Sequence, residues 1–362
     1  MRTISTTLTG ALLSATLCAQ GVITRMNGGQ SYFRYDGNIQ LVLDDAELSI
    51  GVDTIILPGG QFILNNDLFI TSPVVMIGSG IRADSSTAYP TRTVLSGNNY
   101  RDVRIMDEAD GTELHGITFR GSIGVYIGQN LATSDADNVR ITRCDIALLW
   151  LGHGNFDSNA NSPYISNCII DDLSVNQCND PLIRSCFIQN LTGADAASNT
   201  VVENCVFLNW SGGGNVNVSY KNNVFLRNTA SPFTVNEAST FDYNLFVGSG
   251  AGVSYTIAAP AVNGGNNVAS AEYPMNTVNG AFPQFGPVAN YITYDYQGNY
   301  SINSLYQSAG EAGTEVGVFG GADPWKTGSL PFNPHWSELT GPASTGNGTL
   351  QGVTVRGSAQ TY

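Results

Sequence analysis

The chain has 362 residues, 15 Lys+Arg against 29 Asp+Glu, a formal net charge of −14 and only 12% charged residues. With just two lysines, Lys221 and Lys326, it lacks the clustered basic residues that neutralise phosphates, which argues against a nucleic-acid partner. A charged fraction about half that of an average globular protein, beside 41 glycines, disfavours long solvated helices and favours many short strands joined by turns.

The first element in chain order is an address. Met1-Arg2 supplies a positive start, Leu8 to Leu17 is apolar and small, and Leu17-Cys18-Ala19 before Gln20 has the form of a cleavage site. Residues 1–19 are therefore expected to be a secretory signal peptide, leaving a mature protein that is secreted or held at the cell surface. No later apolar run approaches the ~20 residues of a spanning helix, so no transmembrane segment is expected in the mature chain. Five cysteines follow the signal: Cys144, Cys168, Cys178, Cys186 and Cys205. An odd number leaves at least one thiol unpaired within the chain. There is no CxxC pair and there are only three histidines, His115, His153 and His335, which argues against structural zinc.

Within residues 20–321 a six-residue phrase returns. It reads Leu114-His-Gly-Ile-Thr-Phe119, Ile141-Thr-Arg-Cys-Asp-Ile146, Ile165-Ser-Asn-Cys-Ile-Ile170 and Ile183-Arg-Ser-Cys-Phe-Ile188. It continues as Val202-Glu-Asn-Cys-Val-Phe207, Tyr220-Lys-Asn-Asn-Val-Phe225 and Phe241-Asp-Tyr-Asn-Leu-Phe246. The intervals run from 18 to 27 residues, the period of a solenoid. Positions one and six are apolar and are predicted to face inward. Position two (His115, Thr142, Ser166, Arg184, Glu203, Lys221, Asp242) is polar and is predicted to face water, with its last four members forming a ladder of alternating charge. Position three is often Asn, which tolerates the left-handed backbone of a sharp bend. Position four is Ile, four Cys and two Asn, which fits an inward column of small or amide side chains. Stacked cysteines there point the same way, so free thiols are expected rather than disulfides, with Cys178 apart in a loop.

Simple alternation turns position five outward, where Ile169, Phe187, Val206, Val224 and Leu245 make an apolar strip. Its predicted cover is the tail segment Pro324–Trp336. The alternatives are a partner or dimer surface, or an inward orientation produced by a bend at position three.

The phrase resembles the coils of right-handed parallel β-helix proteins, the pectin-lyase-like fold. Ile55-Ile-Leu-Pro-Gly-Gly60 followed by Val74-Val-Met-Ile-Gly78 resembles the opening coils of that fold. Ser301-Ile-Asn-Ser through Gly313-Thr-Glu-Val-Gly-Val-Phe-Gly-Gly321 resembles the closing segment of exported bacterial β-helix proteins of the kind found in Bacteroidetes, many of unknown function. The resemblance implies an all-β chain: one right-handed parallel β-helix, a single-stranded solenoid, over residues 20–321. After it, residues 322–362 read as an extended Pro/Trp-rich tail packing on the solenoid, because proline repeatedly excludes helix.

Candidate chemistry is sparse. In polygalacturonases of this fold a Gly-His-Gly follows an Asn-Thr-Asp and an Asp-Asp, whose carboxylates share acid and base roles. Here Gly152-His153-Gly154 stands without an Asn-Thr-Asp, and Asp171-Asp172 comes after it. A catalytic His153 requires a carboxylate beside it, and Asp145 and Asp157 are nearest in sequence. The simpler reading is a turn histidine at a strand end. Asp107, Asp110 and Glu113 form an acidic loop that can be read as a Ca²⁺ site or as a solvated connection, and Asp135, Asp137 and Asp157 allow the same two readings. Seven arginines lie between Arg82 and Arg143. Among them Arg104, Arg120, Arg140 and Arg143, with Trp150, are candidates for a groove that holds an acidic glycan. Trp210, Trp325 and Trp336 serve as core or cover in the simpler reading.

The function expected from these features is an exported or cell-surface, non-catalytic protein that binds a glycan or a protein partner along its long faces. The competing expectation is a polysaccharide lyase or glycoside hydrolase acting on an acidic polysaccharide, with Ca²⁺ as its one candidate cofactor.

Overall fold

The computed structural model of the chain describes residues 22–34, 37–81, 92–97, 100–128, 136–152, 160–195, 198–210, 214–227, 232–248, 253–270, 294, 300–302 and 306–325, with the backbone of 335–340 and 354–358. It is a nearly all-β parallel solenoid, as the repeat predicts. Among the described residues two twelve-stranded sheets run the length of the stack. One begins its parallel part at Asp53–Ile56 and Val74–Ile77 and ends at Val262–Gly265; the other runs from Gly60–Leu64 to Val268–Ser270. Each coil passes from a short strand of the first sheet through a bend into the second, as Leu182–Arg184 passes into Phe187–Thr192. Equivalent residues stack in register: Ile141 on Ile165, Ile165 on Ile183, Ile183 on Val202.

The bend is set by position three. Arg143, Asn167, Ser185, Asn204, Asn222 and Tyr243 have φ between 49° and 55°, in the left-handed region where asparagine is well tolerated. Just after the bend, the N–H of position four points along the stack to the side chain of the next coil. Cys144, Cys168 and Cys186 each donate to the sulfur of the following cysteine at 3.4 Å. Cys205 N then donates to Asn223 Oδ1 at 2.8 Å, Asn223 N to Asn244 Oδ1 at 2.9 Å, and Asn244 N to Asn267 Oδ1 at 2.9 Å. The column thus serves the backbone, and Asn267 extends it one coil beyond the recognised phrase. The cysteines are free and buried, as expected. Cys178 departs from its expected loop. It lies in the short strand Cys178–Asn179, paired in parallel with Ala160–Asn161, because the third side of the coil also carries bridges.

Positions one and six fill the interior, where Phe207, Phe225 and Phe246 stack at 4.8 and 5.1 Å with rings 13° apart. Two elements close the first coil. The hairpin Ile23–Asn27/Gln30–Arg34 pairs antiparallel with Asp53–Ile56. The helix Ile39–Glu47 spaces Ile39, Val42, Leu43 and Ala46 on one buried face, and the Asn38 side chain caps it by accepting from Leu41 N at 3.3 Å.

Position five faces outward and is covered. Ile169, Phe187, Val206, Val224 and Leu245 join a second apolar cluster with Tyr300, Ile302, Val316, Val318 and Trp325. Phe187 sits among Tyr294 at 4.6 Å, Tyr300 at 4.6 Å and Trp325 at 4.9 Å. The cover is thus built mainly from residues before Gly321, and Trp325 is the part of the predicted Pro324–Trp336 cover that lies within it. Residues 326–334 lie outside the described residues, and the backbone of His335–Thr340 pairs with Thr354–Ser358. Close approach explains the difference: a Cβ on Gly317, at φ 77°, would meet Val224 Cγ2 at 2.9 Å, so the glycine-rich closing segment itself presses onto the strip. The bend asparagines hold it there. Asn167 Nδ2 donates to Asp323 O at 3.2 Å, Asn204 Nδ2 to Glu315 O at 3.3 Å, and Asn222 Oδ1 accepts from Glu311 N at 2.9 Å.

Candidate functional site

Covering the second sheet leaves the outer side of the first sheet and a third face open. On the first sheet, position two stacks in register, but Thr142 and Ser166 are buried rather than facing water, and its ion pairs only partly follow the predicted alternation. Arg184 bonds Glu203 at 2.7 Å, whereas Lys221 reaches sideways to Glu311 of the cover at 2.6 Å. His115 bonds Thr142 Oγ1 at 2.6 Å and Glu113 at 2.8 Å. Burial pushes its pKa down, and Arg140 and Arg143 add to that, while Glu113 opposes it.

The third face exists because the long strands bend. In Thr118–Ile127 the register shifts between Phe119 and Gly124, at Gly121 and Ser122 with φ 69° and 68°. Beyond the bend, Val103, Val125, Leu149 and Leu173 alternate inward and are buried. Between them two outward columns form: Phe69, Arg104, Tyr126, Trp150 and Ser174, and beside it Asp102, Gly124, Leu148, Asp172 and Asn190.

Among the described residues, these columns bring exposed aromatic and charged side chains together. Tyr126 and Trp150 are half-buried, with ring centroids 5.3 Å apart at 56°. A Cβ on Gly124 would stand 2.4 Å from the Tyr126 ring, so only glycine lets that ring lie down along the face. Arg104 bonds Asp102 at 2.8 Å and Asp67 at 3.2 Å. Burial pushes the Asp102 carboxyl up, and the charge of Asp67 adds to this, against the pull of Arg104. Burial likewise raises the Tyr126 phenol, helped by Asp102 and Asp67. Asp67 also lines a cleft of about 620 Å³ between Gly37–Leu41 and Gly59–Leu68. Cleft, carboxylates and aromatic pair therefore form one continuous polar and aromatic surface.

The sequence candidates are distributed differently. His153 and Asp157, with Asp135, lie outside the described residues; Gly152, just before His153, follows the strand Asp145–Leu151. Asp145 is fully buried, bonded by Arg120 and 3.6 Å from Arg92, and Arg120 also bonds Asp171. That cluster staples the bend between the second and third faces and gives a substrate no access to Asp145. Asp107, Asp110 and Glu113 do not gather. Asp110 accepts from Asp137 N at 2.7 Å, Glu113 bonds His115, and Asp107 starts an exposed 3-10 turn. No group of three metal-ligating side chains occurs among the described residues. Nor do the arginines make one groove: Arg104 is on the third face, Arg120 at the bend, Arg140 over the Tyr164 ring at 5.0 Å on the first sheet, and Arg143 buried at a corner. Their places within the coil differ, so closeness in sequence does not become closeness in space. Trp150 does meet Arg104, through Tyr126. Tyr126, Asp67 and Asp102 were absent from the sequence candidates. Tyr126 and Trp150 are 24 residues apart while the phrases before them, at Ile117 and Cys144, are 27 apart, so the register shift after Phe119 hid their stacking from the repeat.

No protein-family model matches the chain, and no curated protein does. Among solved structures, the catalytic domain of a GH87 alpha-1,3-glucanase in complex with tetrasaccharides is similar at 15% identity and a TM-score of 0.33, over 54% of this chain. The matched part is 35% of that chain's length.

Proposed function

We propose that this protein is an exported or cell-surface β-solenoid that binds a carbohydrate chain on its third face. The observation that carries this reading is the Tyr126–Trp150 pair, laid along the face over Gly124 beside Asp67, Arg104 and Asp102. The faces of sugar rings are C–H surfaces that pack on aromatic rings, and their hydroxyls pair with carboxylate and guanidinium groups. Stacked coils repeat such contacts at about 4.8 Å, which suits a polymer better than a compact ligand.

Retention on a panel of insoluble polysaccharides tests it. Wild type is expected to be retained by at least one glycan, and Trp150→Ala and Tyr126→Ala to lose that retention while keeping the wild-type circular dichroism. Equal retention of both variants would refute the site.

A glycoside hydrolase or polysaccharide lyase is the competing reading. It draws on Asp102, whose raised carboxyl has the character of a general acid, with Asp67 across Arg104 as the second carboxylate. Release of reducing ends or unsaturated product from the bound glycan, abolished in Asp102→Asn, would favour it.

A further inference from the structure

We propose, resting on the glycan-binding reading, that the third face selects glycans carrying free amino groups and disfavours uronic-acid polymers. The argument is charge complementarity around the aromatic pair. Arg104 is matched by two carboxylates, Asp67 and Asp102. Arg120 and Arg92, at the bend, are balanced by Asp145 and Asp171. Arg101, half-buried at the start of its strand, adds one further positive charge. These groups balance, so the surplus negative charge beside the platform is that of Asp172. On the far side of Trp150 from Arg104 stands Asp172, exposed, one strand over and two residues back, about 8 Å away by strand spacing. Its described partner is the neutral amide of Asn190, at 2.8 Å. Asp102 flanks the platform on one side and Asp172 on the other, with the rings of Tyr126 and Trp150 between them. An ammonium group is favoured over such rings as well as beside the carboxylates, and a chain of net charge −14 repels a polyanion throughout. This differs from the acidic glycan expected from the run of arginines in the sequence, because folding matches those arginines with carboxylates or disperses them.

The test compares three tetrasaccharides, of glucosamine, N-acetylglucosamine and galacturonate, by titration calorimetry at low ionic strength near ~pH 6, where amines are charged and carboxylates ionised. The glucosamine oligomer is expected to bind roughly tenfold more tightly than its N-acetyl counterpart, and galacturonate most weakly. That ratio should shrink as salt screens the exposed charges. Asp172→Asn should cut it about fivefold, the effect of one contact ion pair in water. Trp150→Ala should weaken all binding. Equal affinity for the first two sugars, a preference for galacturonate, or an unchanged ratio in Asp172→Asn would overturn the charge selection and leave the glycan-binding reading standing. Failure of all three to bind would overturn the charge selection, and the absence of retention on every polysaccharide of the panel would overturn the reading itself. Oligolysine bound as tightly as the glucosamine oligomer and indifferent to Trp150→Ala would also overturn the proposal, in favour of a basic peptide.

Discussion

Replacing Phe187 by alanine tests whether the outer apolar strip is held under the closing segment. Phe187 is fully buried and touches three aromatic rings that flank that segment, Tyr294, Tyr300 and Trp325, at 4.6, 4.6 and 4.9 Å. Removing a buried phenylalanine costs about 3–5 kcal/mol, and the three ring contacts place this site towards the upper part of that range, since such pairs add ~0.5–1.5 kcal/mol each beyond their area. The loss is expected to fall on the cover first, because a solenoid's coils depend mainly on their neighbours. Urea denaturation measures the size. Hydrogen exchange at Gly317 and Trp325, whose N–H groups bond Asn222 O at 2.7 Å and Val318 O at 2.6 Å, measures the location. In Phe187→Ala both amides should exchange faster while those of the first sheet stay protected. Val201→Ala, on the open side of the first sheet, should cost less than ~1 kcal/mol. A Phe187→Ala protein within ~0.5 kcal/mol of wild type, with unchanged exchange, would refute the covered strip.

Asn223→Cys should be milder than Asn223→Leu by at least ~1 kcal/mol in urea denaturation, since a sulfur can still accept from Cys205 N whereas leucine leaves that buried donor unpaired; equal losses would contradict the column's role. Burial raises the thiols of Cys144, Cys168 and Cys186, so they stay protonated in the fold while unfolded thiols ionise. Their contribution is thus fully present below ~pH 8.5 and is lost as pH rises above it, at up to ~1.4 kcal/mol per pH unit per thiol; denaturation midpoints that do not fall between about pH 8.5 and 10 would contradict it. Arg184 and Glu203 should couple by ~0.2–1 kcal/mol in a double-mutant cycle of charge reversals, and Glu203 and Lys221 should couple more weakly, because the carboxylate that Lys221 bonds is Glu311 while Glu203 acts on it only at longer range; a stronger Glu203–Lys221 coupling would contradict this.

The solenoid could be read from the sequence because its constraint is local and repeated: the same apolar, polar and bend positions recur in each phrase, and parallel stacking converts recurrence directly into columns. The cover was half-readable. The strip at Ile169, Phe187, Val206, Val224 and Leu245 announces a need for burial, but nothing local distinguishes Val316 and Val318 from one more coil. The bend asparagines show why: their left-handed backbone is a local property, while their bonds to residues 311–323 span the chain. The site was harder still. Trp150 and Arg104 stood out, but Tyr126, Asp102 and Asp67 come from two other strands and the loop before Leu68–Ile70, brought together by a register that depends on the shift after Phe119. The arginine run misled for the opposite reason, since neighbours in the chain were sent to different faces.

A crystal structure with the oligosaccharide that binds most tightly is the most direct measurement of the central claim. The expected result is sugar rings packed on Trp150 and Tyr126, with hydroxyl or amino groups within hydrogen-bonding distance of Asp102 or Asp172. Sugar lying along Arg184, Glu203 and Lys221 on the first sheet, with the third face empty, would contradict it.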